Sequence, residues 1–274
     1  HVSLPELRRY NYSNTLATGT LAAGGTLGIL IPPSIILVIY AVIAEQSILD
    51  MFVAAFIPGI IATVGYMIVV AIVVRIDPSA GPTAERMPWL ERIRCLKEIW
   101  STAAVFILVM GGIYMGWFSP TEGAAIGAAA VGVLAYIFGG MRWAGFLECL
   151  LGAAKATAMI FLILIGAELY NSFLALTQMP VELADMITES GLPPLAIIAI
   201  MLVIYLVLGC VMDALAMILL TIPVFIPIVI GLDFGLDEDA VLVWFGVLAV
   251  IAVEMGLITP PIGINIFVIN SMAE

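Results

Sequence analysis

The stretch VEMGLITPPIGINIFV, residues 253–268, places two adjacent prolines inside an apolar run that extends from about 240 to 272. Each proline lacks a backbone N–H, and its ring clashes with the carbonyl one turn earlier. Gly256 loosens the turn before them. A helix entering this stretch must unwind at Pro260-Pro261. In hydrocarbon, the carbonyls so freed are costly unless something satisfies them. The same arrangement occurs near the start of the chain. GTLGILIPPSI at 25–35 aligns without gaps to VEMGLITPPIG at 253–263, and there the break is Pro32-Pro33, preceded by Gly28. An interrupted apolar segment in matching positions of two halves is the sequence signature of a secondary-transporter binding site. Carbonyls at the C-terminal end of the first half-helix carry partial negative charge and suit a dehydrated cation. The N-terminus of the second half-helix suits an anion. A lone Pro-Pro pair reads equally well as a kinked packing helix. Two copies in matching context favour a ligand site.

Working outward, the whole chain is apolar. Its 274 residues are 64% hydrophobic and 11% charged, with a mean hydropathy of +1.21. Soluble domains are about 45–50% apolar and about 25% charged, so this composition describes an all-α polytopic membrane protein. The runs are long and continuous rather than alternating, which favours helices over a barrel. Windows of about 20 residues give spans at 12–44, 50–75, 99–117, 121–139, 146–171, 192–231 and 240–272. The first and last are broken at the proline pairs. The 192–231 stretch is interrupted at LGCVMD, residues 208–213. Its arms are short for a full crossing, so a re-entrant hairpin with its tip at 209–213 is expected; two ordinary spans joined by a short loop are the alternative.

Charge sets the orientation. Arg8, Arg9, Arg75, Arg86, Arg92, Arg94, Lys97 and Arg142 fall at alternate connections, which the positive-inside rule assigns to the cytoplasm. The acidic or uncharged connections at 45–50, 118–122, 181–190 and 232–240 fall on the other side. A net charge of −11 with only nine basic residues leaves no stripe for nucleic acid. The single histidine is His1, and Cys95, Cys149 and Cys210 are dispersed. No histidine triad, zinc spacing or disulfide framework is legible. Among the remaining polar residues, Glu254 lies deep in an apolar run and is a functional candidate by default. Asp213 is placed to cap the second hairpin arm. Thr121-Glu122 after Pro120 marks a helix start. Asn265 follows the second break, on the half-helix whose N-terminus faces an anion. Lys155 lies within a span near its cytoplasmic end, where it can snorkel.

The chain resembles the large membrane subunit of the tripartite ATP-independent periplasmic (TRAP) transporters, the DctM-like family. The resemblance covers essentially all 274 residues. It rests on GGTLGILIPPS at 24–34, GWFSPTEGAAIGA at 116–128, LGCVMD at 208–213 and EMGLITPPIGINIFV at 254–268, in that order. It implies an inverted-repeat, elevator-type secondary transporter with broken helices and a re-entrant hairpin, working as a Na+-coupled importer of an organic acid in the bacterial inner membrane. Its implied partners are a small four-helix membrane subunit (DctQ-like), a periplasmic substrate-binding protein (DctP-like) and the lipid bilayer.

The resemblance also implies site residues. A Na+ site at the second break matches Gly209, Gly256, Thr259 and Ile262. Internal symmetry maps a second one, less fully matched because its hairpin partner is expected before His1, onto Gly28, Ile31 and Ser34 at the first break. Ser34 and Asn265 are the substrate-binding candidates, and Pro32, Pro33, Pro260 and Pro261 make the breaks. On this reading residues 1–49 end the first repeat in the transport domain. Residues 50–190 hold scaffold-type spans, and 191–274 carry the hairpin and second broken helix of the transport domain. The chain reads as a piece of a longer permease, with most of the first repeat before His1 and a final span after Glu274. The 232–240 connection is longer than the family pattern leads one to expect, and its outer position suits contact with the binding protein. A single-component Na+-coupled di- or tricarboxylate carrier of related hairpin architecture is the alternative; an intramembrane enzyme finds no residues here to carry it.

Overall fold

A computed structural model describes residues 3–82, 88, 89, 91 and 99–273. Every element among these residues is an α-helix. They are α1 (Ser3–Arg9), α2 (Asn14–Leu30), α3 (Ile35–Ile43), α4 (Ile48–Ile76), α5 (Trp100–Tyr114), α6 (Pro120–Ile137), α7 (Trp143–Thr177), α8 (Met179–Thr188), α9 (Pro194–Gly209), α10 (Ala214–Ile230), α11 (Glu238–Leu257) and α12 (Ile264–Ala273). Each expected span is matched by a helix or a helix pair. Both proline pairs interrupt a helix where the sequence places them: α2 stops at Leu30 and α3 starts at Ile35, while α11 stops at Leu257 and α12 starts at Ile264. The Pro32-Pro33 and Pro260-Pro261 peptide bonds are both cis. Among the described residues, five segments are long and apolar enough to cross a membrane: Asn14–Ile43, Ile48–Ile76, Pro120–Ile137, Trp143–Thr177 and Glu238–Leu257.

The helix starts follow from local chemistry. Ser13, Ser34, Ser47, Ser119, Asp213 and Asp237 each accept a backbone N–H from the first turn of the helix they precede, which satisfies donors that the helix itself leaves orphaned. At α6 the cap is reciprocal. The Ser119 hydroxyl accepts from Glu122 N at 3.3 Å, and the Glu122 carboxylate accepts Ser119 N–H at 2.7 Å. This is the helix start expected at Thr121-Glu122, with its first residue at Pro120.

One acidic connection departs from expectation. Residues within 181–190 form the helix α8 rather than a loop. Its sequence, MPVELADMIT, starts with a proline tolerated in a first turn and buries Pro180 and Ala184, with α8 packed on α10. Charges at Glu182 and Asp185 on the remaining surface disguised an amphipathic helix as a connection. The basic cluster Arg86, Arg92, Arg94 and Lys97, like His1 and Cys95, lies outside the described residues.

The chain divides into two compact units, His1–Thr83 with Leu164–Glu274, and Ala84–Ile163. In the second unit α5 packs on α6, and the Phe118 ring fills the space beside Gly112 and Gly123. In the first unit α11 is central. It packs against α2, α3, α4, α9, α10 and α12, and twelve of its twenty residues are buried, as expected for a helix apolar on all sides. Apolar side chains gain little by leaving lipid for one another, so close approach through small residues matters more here than in a soluble core. The Tyr40 ring occupies the space above Gly246, and its hydroxyl donates to the Leu242 carbonyl at 2.6 Å. Two connections expected on the same side also meet: Gln46 donates to the Asp239 carboxylate at 3.1 Å.

Candidate functional site

The tip of the α9–α10 hairpin and the second break form one cluster. Gly209, the last residue of α9, lies backbone to backbone against Gly256, in the last turn of α11. A Cβ on Gly256 would sit 2.7 Å from the Gly209 Cα and 3.1 Å from the Leu206 carbonyl oxygen. A Cβ on Gly209 would meet the Gly256 Cα at 2.7 Å and the Val253 carbonyl at 3.3 Å. Both positions must be glycine for the two backbone segments to touch. Beyond Gly209, Asp213 caps α10, accepting the Leu215 N–H at 2.8 Å, the capping role its sequence position suggested. The two arms are tied at their middles, with the hydroxyls of Tyr205 and Thr221 2.7 Å apart and the rings of Tyr205 and Phe225 in edge contact at 5.3 Å.

Past Gly256 the helix tightens and then opens. Ile258 N donates to the Met255 carbonyl at 3.4 Å, and Thr259 N to the Gly256 carbonyl at 3.0 Å. The Thr259 hydroxyl also donates to Met255 O, leaving its lone pairs available to a ligand. The buried Cys210 sulfur, at the hairpin tip, lies 3.2 Å from both the Leu206 and the Pro260 carbonyl oxygens, which share its single S–H proton. This thiol tether between tip and break was not singled out from sequence, although Cys210 lies within the LGCVMD run. Ile262 is 52% exposed, and Asn265 is partly exposed with no side-chain hydrogen bond among the described residues. Gly209, Gly256 and Thr259 are thus gathered at one place, with Pro260 tied to the same tip. The turn carrying Ile262 follows directly, and Asn265 stands in the first turn of α12.

The first break makes its own contacts. Ile31 N donates to the Leu27 carbonyl at 2.8 Å, completing α2. Ser34 is buried; its hydroxyl donates to the Ile29 carbonyl and accepts the Leu37 N–H, capping α3. The Ile31 side chain packs on Gly59 of α4. Gly28 has nothing within 4 Å of where a Cβ would lie, unlike its counterpart Gly256.

Only three polar or charged residues are buried among those described: Thr26, Ser34 and Glu254. In the repeat alignment Thr26 and Glu254 are equivalent, one turn before each break. Thr26 donates to Ala23 O at 2.8 Å and lies 3.4 Å from the Tyr66 hydroxyl. Glu254 is 4% exposed, and its Oε1 has no hydrogen-bond partner among the described residues. The repeat therefore keeps a polar position in each copy, which the alignment showed once the two registers were laid together.

Comparison with known proteins gives a consistent result. Residues 1–274 match the family described as "Tripartite ATP-independent periplasmic transporter, DctM component". The chain is 34% identical to the C4-dicarboxylate TRAP transporter large permease protein DctM of Pseudomonas aeruginosa, over 99% of this chain and 62% of that protein. It is 28% identical to the sialic acid TRAP transporter large permease protein SiaM of Vibrio cholerae, over 100% of this chain and 62% of that protein. It is 29% identical to the 2,3-diketo-L-gulonate TRAP transporter large permease protein YiaN of Escherichia coli, over 99% and 62% respectively. The chain spans about three fifths of the length of these relatives.

Proposed function

This chain belongs to the DctM-component family of tripartite ATP-independent periplasmic transporters, and on that premise we propose that it forms the ion- and substrate-binding part of a Na+-coupled permease that imports an organic acid by an elevator movement. It is a multi-pass protein of the bacterial inner membrane and a permease component rather than an enzyme. The observation that carries the proposal is the junction of Gly209 with Gly256 beside the Pro260-Pro261 break. It puts the C-terminal ends of two half-helices, each with partial negative charge on its carbonyls, at one point. A dehydrated cation suits that point, with carbonyls from Gly209, Gly256 and Ile262 and the Thr259 hydroxyl as its ligands. The first break, with Gly28, Ile31 and Ser34, is the second proposed cation site.

The α9 helix has 16 residues and α10 has 17, about 24 and 26 Å at 1.5 Å per residue, short of the roughly 30 Å hydrocarbon core. That supports a re-entrant hairpin whose tip ends within the membrane. The N-terminus of α12, with Asn265 in its first turn, would face the carboxylate of the substrate. The relatives named above carry different acids, so the substrate class proposed is an organic carboxylate. A small four-helix membrane subunit and a periplasmic substrate-binding protein are its proposed partners.

The test is uptake of C4-dicarboxylates and sialic acid into proteoliposomes. These would hold the full-length permease, its small subunit and its binding protein, with and without an inward Na+ gradient. Na+-dependent uptake that requires the binding protein is expected. Uptake indifferent to Na+ overturns the coupling ion, and uptake without the binding protein moves the assignment to a single-component carrier. In the same assay Thr259→Ala should raise the Na+ concentration needed for half-maximal uptake by about tenfold, the effect of one lost hydrogen bond or ligand contact of ordinary strength. An unchanged Na+ dependence in that variant would remove Thr259 from the site.

A further inference from the structure

A proline pair strips a helix of donors at a fixed register. The carbonyl three residues before the first proline has a proline at both the third and the fourth position beyond it, so neither a 3-10 nor an α partner exists. In this chain those carbonyls belong to Ile29 and Leu257, equivalent positions in the repeat. The two breaks treat them differently. At the first, the Ser34 hydroxyl reaches back five residues and donates to Ile29 O. At the second, Ser34 is replaced by Ile262 in the alignment. With no hydroxyl there, no described group donates to the Leu257 carbonyl. Thr259 N already bonds the Gly256 carbonyl at 3.0 Å, so the first carbonyl after it without a donor is the one on Leu257. Leu257 is 3% exposed, which leaves little access for bulk water. A buried carbonyl without a donor is costly, and this one stands at the negative end of α11.

We propose that the Leu257 backbone carbonyl is a further cation ligand of the second break, and that the residue five places on decides whether a break takes a cation or caps itself. A hydroxyl at that place, as at Ser34, closes the break from within, and a monovalent cation must displace it. An apolar side chain, as at Ile262, leaves the oxygen for the cation. The inference rests on the Na+ reading above and adds to it a ligand and a determinant of ion affinity.

The test moves the cap from one repeat to the other. Ile262 is half exposed, so a polar side chain is tolerated there. Na+ titration of uptake by the full-length permease, reconstituted with its small subunit and binding protein, would compare Ile262→Ser with Ile262→Ala. The alanine variant accounts for loss of the isoleucine side chain. The serine variant is expected to need about tenfold more Na+ than the alanine variant for half-maximal uptake, as loss of one ligand contact predicts, and Ile262→Thr should follow serine. Equal Na+ requirements for serine and alanine overturn the inference while the Na+ reading stands. A wild-type protein indifferent to Na+ overturns that reading first. If the serine variant fails to fold, replacing Ile258 by its α-hydroxy acid weakens the Leu257 carbonyl without touching a side chain. That replacement should also raise the Na+ requirement, and no change would again overturn the inference.

Discussion

Alanine at Gly256 is expected to cut Na+-driven uptake by more than about tenfold and to lower the thermal stability of the permease, although the variant still inserts. Two effects compete. In a helix, glycine to alanine is favourable by about 1 kcal/mol. Against that, the new methyl would lie 2.7 Å from the Gly209 Cα, 3.1 Å from the Leu206 carbonyl oxygen and 3.2 Å from the Gly209 carbonyl carbon. All three are backbone atoms, so no side chain can rotate away. Relief requires α9 to move off α11, and forced packing of this kind costs about 1–3 kcal/mol. The movement separates the hairpin tip from the break by several tenths of an ångström or more, which a coordination sphere does not tolerate. Gly209→Ala should behave likewise, since the contact is reciprocal. Gly65→Ala, in α4 with nothing within 4 Å, is the control and should retain both stability and transport. Melting of the detergent-solubilised permease and uptake in proteoliposomes would check all three. Full transport by Gly256→Ala would mean that the tip and the break need not touch.

The breaks were legible because their cause is covalent and local. A proline has no N–H wherever it stands, and Pro32-Pro33 and Pro260-Pro261 interrupt their helices as that fact requires. The interruption between α9 and α10 was legible for a similar reason: Gly209 and Asp213 stop one apolar run and start another. The helix α8 was not, because Glu182 and Asp185 fill a face that looks like a polar connection until α10 is placed against Pro180 and Ala184. Contacts between distant parts of the chain left no trace in local pattern. Tyr40 donates to the carbonyl of Leu242, 202 residues away, and nothing in the sequence around either residue announces it. The pairing of Gly209 with Gly256 lies between these cases. Each glycine stood out by position, but only packing shows that they meet. Hydrogen bonding also shows that equivalent residues are not chemically equivalent: Ser34 closes its break, whereas Ile262 leaves an oxygen open.

Replacing both prolines of the second break, Pro260→Ala with Pro261→Ala, should abolish transport while the protein still accumulates in the membrane. Each proline in a helix interior is disfavoured by about 3 kcal/mol relative to alanine, so the double substitution removes the main local reason for the interruption. Restored N–H groups at 260 and 261 would donate to the Gly256 and Leu257 carbonyls, the α partners four residues back. Those are the oxygens assigned to the cation. Gly263, at φ +58°, is free to return to helical angles, since glycine has no preference against them. One continuous helix from Glu238 towards Ala273 would then satisfy its own backbone and have no carbonyl for a cation and no second N-terminus for a carboxylate. The Cys210 thiol would lose its partner at the Pro260 carbonyl as that oxygen turned into the helix. The effect should exceed that of Thr259→Ala, which removes one hydroxyl and leaves the break in place. Infrared or circular dichroism spectra should show equal or slightly higher helix content in the double variant, and proteoliposome uptake should fall to background with or without Na+. Normal uptake with the helix reclosed would show that the break is not where the ion binds, and would also remove Leu257 as a ligand.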